Sequence, residues 1–141
     1  MIRVTKLLQK LYETQTRLAG ILFLYNNNIL LLQRSAAVDD PYMWSIPCGH
    51  VKEGESFWQG AKRETMEEAG LSASPYIAYH RNTIPDGVFM TFLVPVPYRT
   101  TPKLNWEHRT WKWASLKDFD TGDDRVHPGL IKTVRTLGLT L

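Results

Sequence analysis

The sequence predicts an α/β protein in which a β-sheet lies between helices. Two observations carry this. A helix with explicit start and stop signals occupies the middle of the chain, and apolar runs of strand length stand on both sides of it. At 141 residues the chain suits one domain, taken here as residues 1–141, and its 43% hydrophobic content is enough for an ordinary core.

Each element has a local reason. At the start, Arg3, Lys6 and Lys10 interleave with Leu7, Leu8 and Leu11, which fits a first helix or strand and leaves no uninterrupted signal core. Leu18 to Tyr25 and Ile29 to Arg34 are apolar runs separated by Asn26-Asn27-Asn28. Asn tolerates the positive φ of tight turns, so this reads as a hairpin. Trp44 to Pro47 forms a short strand. Ser56 followed by Gln59 is a capping box, and Gly70 supplies a left-handed stop, so a helix is expected over Phe57 to Ala69. Its Trp58, Ala61, Thr65 and Ala69 form the less polar, packing face.

Beyond the helix, Val88 to Val96 is a strongly apolar strand whose far end, at Pro95 and Pro97, must be an edge or an exit. Trp106 to Trp113 alternates like a half-buried strand. Ser115 to Phe119 makes a short turn or helix, and Pro128 to Leu139 a terminal helix with proline in its first turn.

The chemistry concentrates between Gly49 and Leu71, where five acidic residues crowd one segment. At about 100° per residue, Glu64, Glu67 and Glu68 fall within about 100° of arc on one helix face. Carboxylates at i and i+4 repel, so helix stability gives no reason to collect them. Hard divalent cations take oxygen ligands, commonly one or two protein carboxylates plus substrate phosphates. The cluster therefore points to metal-dependent phosphate chemistry.

Gly49, Glu55, Arg63-Glu64, Glu67-Glu68 and Gly70-Leu71 together resemble the Nudix box. Every polar and glycine position of that pattern matches. Thr65 departs from the usual aliphatic residue; its methyl is expected to fill the packing face and its hydroxyl to bond a carbonyl one turn back. Just outside the box, Cys48 stands where the family often has glycine. The resemblance implies a Nudix-fold α/β/α sandwich with a mixed β-sheet and a loop-helix-loop motif. It also implies hydrolysis of the pyrophosphate bond of a nucleoside diphosphate linked to another group, with Mg²⁺ or Mn²⁺ as cofactor.

By the same resemblance, Glu67 and Glu68 are the principal metal ligands, Glu64 is a ligand or general base, Glu55 is an accessory ligand, and Gly49 is grouped with them. Arg63 orients the glutamates through charge-assisted hydrogen bonds. Some Nudix enzymes take their base from outside the box, and Glu107 is the candidate here. His50 and His108 stand near these elements. The resemblance implies a small-molecule nucleotide substrate; Trp44, Phe89, Trp106 and Trp111 are the candidate ring faces for stacking its base, and Arg34 and Arg81 the candidate phosphate contacts.

Substrate class stays open among nucleoside triphosphates, ADP-ribose, nucleotide sugars and dinucleoside polyphosphates. Pro85, fifteen residues after Gly70, is a feature associated with ADP-ribose hydrolases, whereas the chain lacks the N-terminal extension of many of them. Two other classes share the fold. A catalytically inactive nucleotide-binding or regulatory module would be expected to have an eroded box, and this box is intact. An isoprenyl diphosphate isomerase would need a cysteine and glutamate pair, and Cys48 offers only half of one. Cys48 also lacks the neighbours of a nucleophile, and as the single cysteine it forms no internal disulfide, which fits the cytoplasm. The net charge of +3 suits an anionic small molecule and is too small and dispersed to argue for nucleic acid. No apolar stretch approaches bilayer-spanning length. Nudix proteins are often homodimers, so the resemblance leaves a homodimer open, but no residue of the sequence identifies an interface.

Overall fold

A computed structural model of the chain describes residues 15–119 and 125–139. The expected opening helix or strand falls outside them. Within them the order is β1 (Thr16–Tyr25), β2 (Asn28–Arg34), β3 (Trp44–Ser45), β4 (Cys48–His50), α1 (Phe57–Ala69), β5 (Ala78–Ile84), β6 (Gly87–Pro95), β7 (His108–Ser115), a 3₁₀ turn (Leu116–Asp118) and α2 (Pro128–Thr136).

β1 and β2 form the expected hairpin, with Asn26 at φ +51° in the turn. They pair only at Leu24–Ile29 and Tyr25–Asn28 and then diverge. The gap is filled from both sides: β3 pairs with β2, and β4 pairs with β1 through Leu18–His50 and Gly20–Cys48. The outer edge of β2 takes β7, and β1 runs parallel to β6, which pairs with β5. The sheet is therefore mixed.

Alternation along the strands divides the apolar side chains between two faces. Ala19, Ile21, Phe23, Leu30, Leu32, Phe92 and Val94 pack under α1, against its Ala61 and Ala69. Leu22, Ile29, Leu31 and Leu93 face the other way, onto Leu130 and Val134 of α2. The result is an α/β/α sandwich with one core on each side of the sheet.

Three boundaries differ from the sequence reading. β7 starts at His108 rather than Trp106, because Asn105 makes a turn there: Glu107 N–H donates to its side chain (3.0 Å) and His108 N–H points at its carbonyl (3.4 Å). α2 stops at Thr136, before Gly138 at φ +72°. The strand expected at 44–47 is split into β3 and β4 around Ile46-Pro47. β5 has no counterpart among the expected strands. It pairs with β6 around Pro85-Asp86-Gly87, with Asp86 at φ +63°.

Candidate active site

The acidic cluster is assembled from α1 and the segment before β7. Ser56 caps α1: its hydroxyl accepts from Gln59 N–H (3.1 Å) and its own N–H donates to the Gln59 side chain (2.9 Å). Gly70 closes the helix at φ +64°. The buried Thr65 hydroxyl donates to the Ala61 carbonyl at 2.8 Å, as its departure from the aliphatic pattern required.

Segment 103–107 is then tied to the end of α1, since Lys103 N–H donates to Ala69 O (2.7 Å) and Asn105 N–H to Glu68 O (3.1 Å). This docking carries Glu107 to the helix carboxylates. Glu64, Glu67, Glu68 and Glu107 all line one cleft of about 590 Å³.

The four carboxylates differ in setting. Glu68 is 2% exposed and accepts the Cys48 N–H at 2.9 Å, which anchors it beneath β4. Burial, with added repulsion from Glu107 and Glu64, pushes its pKa up to about 8. Burial also raises Glu64, against the opposing effect of Arg63. Glu67 is half exposed at the mouth. Gly49 lies against Glu64, and a Cβ at that position would run into the carboxylate. The glycine is needed for room.

Arg63 stands behind the cluster and does not line the cleft. Its guanidinium grips Glu55 with two bonds (2.8 and 3.0 Å), reaches Glu64 (3.0 Å) and Glu67 (3.2 Å), and donates to His50 O (2.8 Å). Glu55 also accepts Lys52 N–H (2.8 Å), closing the loop that enters α1. Hydrogen bonding to Arg63 holds Glu55 down to a pKa of about 2. Glu55 thus lies off the cleft and bonds the arginine that bonds the other two glutamates.

The other candidates divide. Arg34 and Phe89 line the cleft together with Gly49 and His50. Trp44, Arg81, Trp106 and Trp111 do not. Trp44 is 8% exposed in the core, with the Lys112 ammonium 4.3 Å from its ring centroid. Arg81 lies on the face of β5 opposite His80 and Asn82, which face α2. Trp106 is 70% exposed in the turn before β7. His108 is buried beside Arg34, and its burial lowers its pKa to about 4, so it is neutral at physiological pH. Burial pushes the Cys48 thiol up to about 12, which leaves it protonated and a poor nucleophile. Leu18, Asn82, Ile84, Thr91 and His127 also line the cleft, and sequence reasoning singled out none of them.

A NUDIX domain family model matches residues 14–137. The chain belongs to the NUDIX family. As a NUDIX hydrolase it is 35% identical over 98 residues to an asymmetrical bis(5'-nucleosyl)-tetraphosphatase of Caenorhabditis elegans, a match covering 63% of this chain and 68% of that protein. It is 28% identical over 120 residues to an RNA pyrophosphohydrolase of Rhodopseudomonas palustris, covering 78% of this chain and 66% of the relative. The chain thus spans about two thirds of the length of these relatives. Among solved structures, a C. elegans Ap4A hydrolase binary complex superposes with a TM-score of 0.70 at 27% identity, over 86% of this chain and 95% of that one.

NUDIX hydrolases generally use divalent metals, and the donor set here fits one. Four carboxylates share a cleft, and two of them have their charged forms disfavoured by burial and by one another. Among the described residues no three such groups stand close enough to form a ready coordination sphere, so the fit lies in the all-oxygen, anionic chemistry of the donors. No helix among the described residues is long and apolar enough to cross a membrane.

Proposed function

We propose that this protein is a Mg²⁺- or Mn²⁺-dependent pyrophosphohydrolase of small nucleoside polyphosphates, working as a single domain in the cytoplasm. The observation that carries the reading is the convergence of Glu64, Glu67, Glu68 and Glu107 from two separate segments on one cleft. The tetraphosphatase relative makes a dinucleoside tetraphosphate the first substrate to try, ahead of nucleoside triphosphates, ADP-ribose and nucleotide sugars.

Glu67 and Glu68 would hold the metal, joined by Glu64, with the Gly49 carbonyl as a further oxygen donor. A bound divalent ion supplies charge neutralisation for the phosphates and makes nearby water more acidic. The protein's own groups do the rest. Arg34 enters the cleft as a cation for a phosphate oxygen. Arg63 fixes the rotamers of Glu64 and Glu67, and Glu55 fixes Arg63. Glu107, held by its turn with Asn105, is the group outside the helix able to take a proton from attacking water, with Glu64 as the alternative base.

The test is Mg²⁺-dependent turnover of those four substrate classes by the wild type and by Glu67→Gln. Glu67 is half exposed, so the variant should fold normally while turnover falls by at least about a hundredfold. Full activity in the variant would remove Glu67 from the machinery. No turnover of any substrate by a folded wild type that binds nucleotide would point to a binding module instead.

A further inference from the structure

Besides the carboxylates, strand register places a row of three further side chains on the cleft. Leu18 on β1 pairs with Phe89 on β6, and Phe89 pairs with Asn82 on β5, so the three side chains form one row across the sheet. All three line the cleft. The row gives an apolar, aromatic floor that ends in an amide.

That amide has a fixed orientation. Lys132 Nζ donates to Asn82 Oδ1 at 3.0 Å, and an ammonium only donates, so the NH₂ group is the end turned away from it. Asn82 Nδ2 lies 3.9 Å from where a Cβ on Gly129 would stand, and that same Cβ would be 3.2 Å from the His127 ring. The missing side chain at 129 keeps the space between Asn82 and His127 open. His127 Nδ1 accepts Gly129 N–H (3.1 Å), so in the neutral ring the proton sits on Nε2. Asn82, Phe89 and His127 all line the cleft, so its aromatic floor is accompanied by two N–H donors, the amide NH₂ turned from Lys132 and the imidazole Nε2–H.

A purine could use this site in two ways. An asparagine whose oxygen and nitrogen are both free pairs with the adenine N6/N7 edge, whereas donors alone match the O6 and N7 acceptors of a 6-oxopurine. Here Lys132 takes one acceptor position of the oxygen and holds that end of the amide towards itself, so the NH₂ is the end on the Gly129 and His127 side. We propose that Asn82, Phe89 and His127 form a base subsite that selects 6-oxopurine nucleotides, guanosine and inosine, over adenosine. The proposal rests on the reading of the cleft as a nucleotide-hydrolysing site and names which base that site accepts.

The experiment compares kcat/KM for GTP, ITP and ATP, and for the dinucleoside tetraphosphates Gp4G and Ap4A, in wild type, Asn82→Ala and Lys132→Met. Calorimetric binding of GDP and ADP runs beside it. Guanosine and inosine substrates should both exceed adenosine by at least about tenfold, since a site that hydrogen-bonds one edge rejects the analogue lacking it. Asn82→Ala should bring that ratio below about three, and Lys132→Met, by freeing the amide oxygen, should move it towards adenosine. Equal use of the three bases by the wild type, a preference for adenosine, or a ratio that neither substitution moves would overturn the proposal. Inosine behaving like adenosine would also overturn it, because the 2-amino group and not the O6/N7 edge would then be read. Should no substrate turn over, the proposed hydrolysis fails by itself, and the GDP-to-ADP binding ratio still decides the base preference. The wild-type ligand series decides it too if either variant does not fold.

Discussion

Glu68 is held almost out of solvent by a single backbone N–H, and its protonation is tied to folding. Its pKa is about 8 in the folded chain against an ordinary value of 4.5. Between those two pH values the folded state keeps a proton that the unfolded chain gives up, so stability falls as pH rises through that window. Buried His108, held down to about 4 against an ordinary 6.5, works in the opposite sense up to pH 6.5, so thermal melts in EDTA should show wild-type Tm declining between pH 6.5 and pH 8. Glu68→Gln, which cannot ionise, should flatten the decline and gain on the wild type at pH 8; parallel curves would show that the carboxyl is not buried as described. Gly49 is bound to the same chemistry through space alone. Gly49→Ala should push the Glu64 carboxylate aside and, on the role proposed for Glu64, lower kcat at least about tenfold with a smaller change in KM. Steady-state kinetics would check it, and unchanged kcat would mean that the position of Glu64 does not matter.

At the scale of elements, α1 depends on its ends. The reciprocal Ser56–Gln59 bonds satisfy two orphan N–H groups, and Ser56→Ala should cost about 1 kcal/mol. Differential scanning calorimetry should record that as a fall in Tm of about 3 °C. An unchanged Tm would show that water replaces the cap without loss. The helix was legible because capping and glycine stops are local chemistry, carried by residues within three positions of each other. β5 was not, although it carried a signal. Pro85-Asp86-Gly87 is a turn sequence with a mechanism, and it could have marked the β5–β6 hairpin. The strand behind it, Ala78 to Ile84, reads as polar because only one of its faces is covered, by α2. β7 shifted by two residues because the Asn105 turn takes its hydrogen bonds from the loop, and Trp106 left the strand with it.

For the whole molecule, the carboxylates should be linked to stability through the metal. A ligand that binds only the folded state at a hundred times its Kd adds about 2.7 kcal/mol. Mg²⁺ or Mn²⁺ at that level should raise the wild-type Tm by several degrees and leave a Glu64→Gln/Glu67→Gln double variant almost unmoved. Equal shifts in both would place the ion elsewhere. By itself the sequence determined the family, the capped helix, the hairpin and the acidic face, because each is written in residues that are neighbours along the chain or one helical turn apart. Only the tertiary structure decided which candidates share a cleft. Strand register put Phe89 beside Asn82, docking of segment 103–107 brought Glu107 to Glu64 and Glu68, and core packing took Trp44 away from solvent. Apart from the Phe89–Asn82 pair, which a single hairpin joins, those are contacts between residues far apart in sequence, set by packing and burial that no local pattern records.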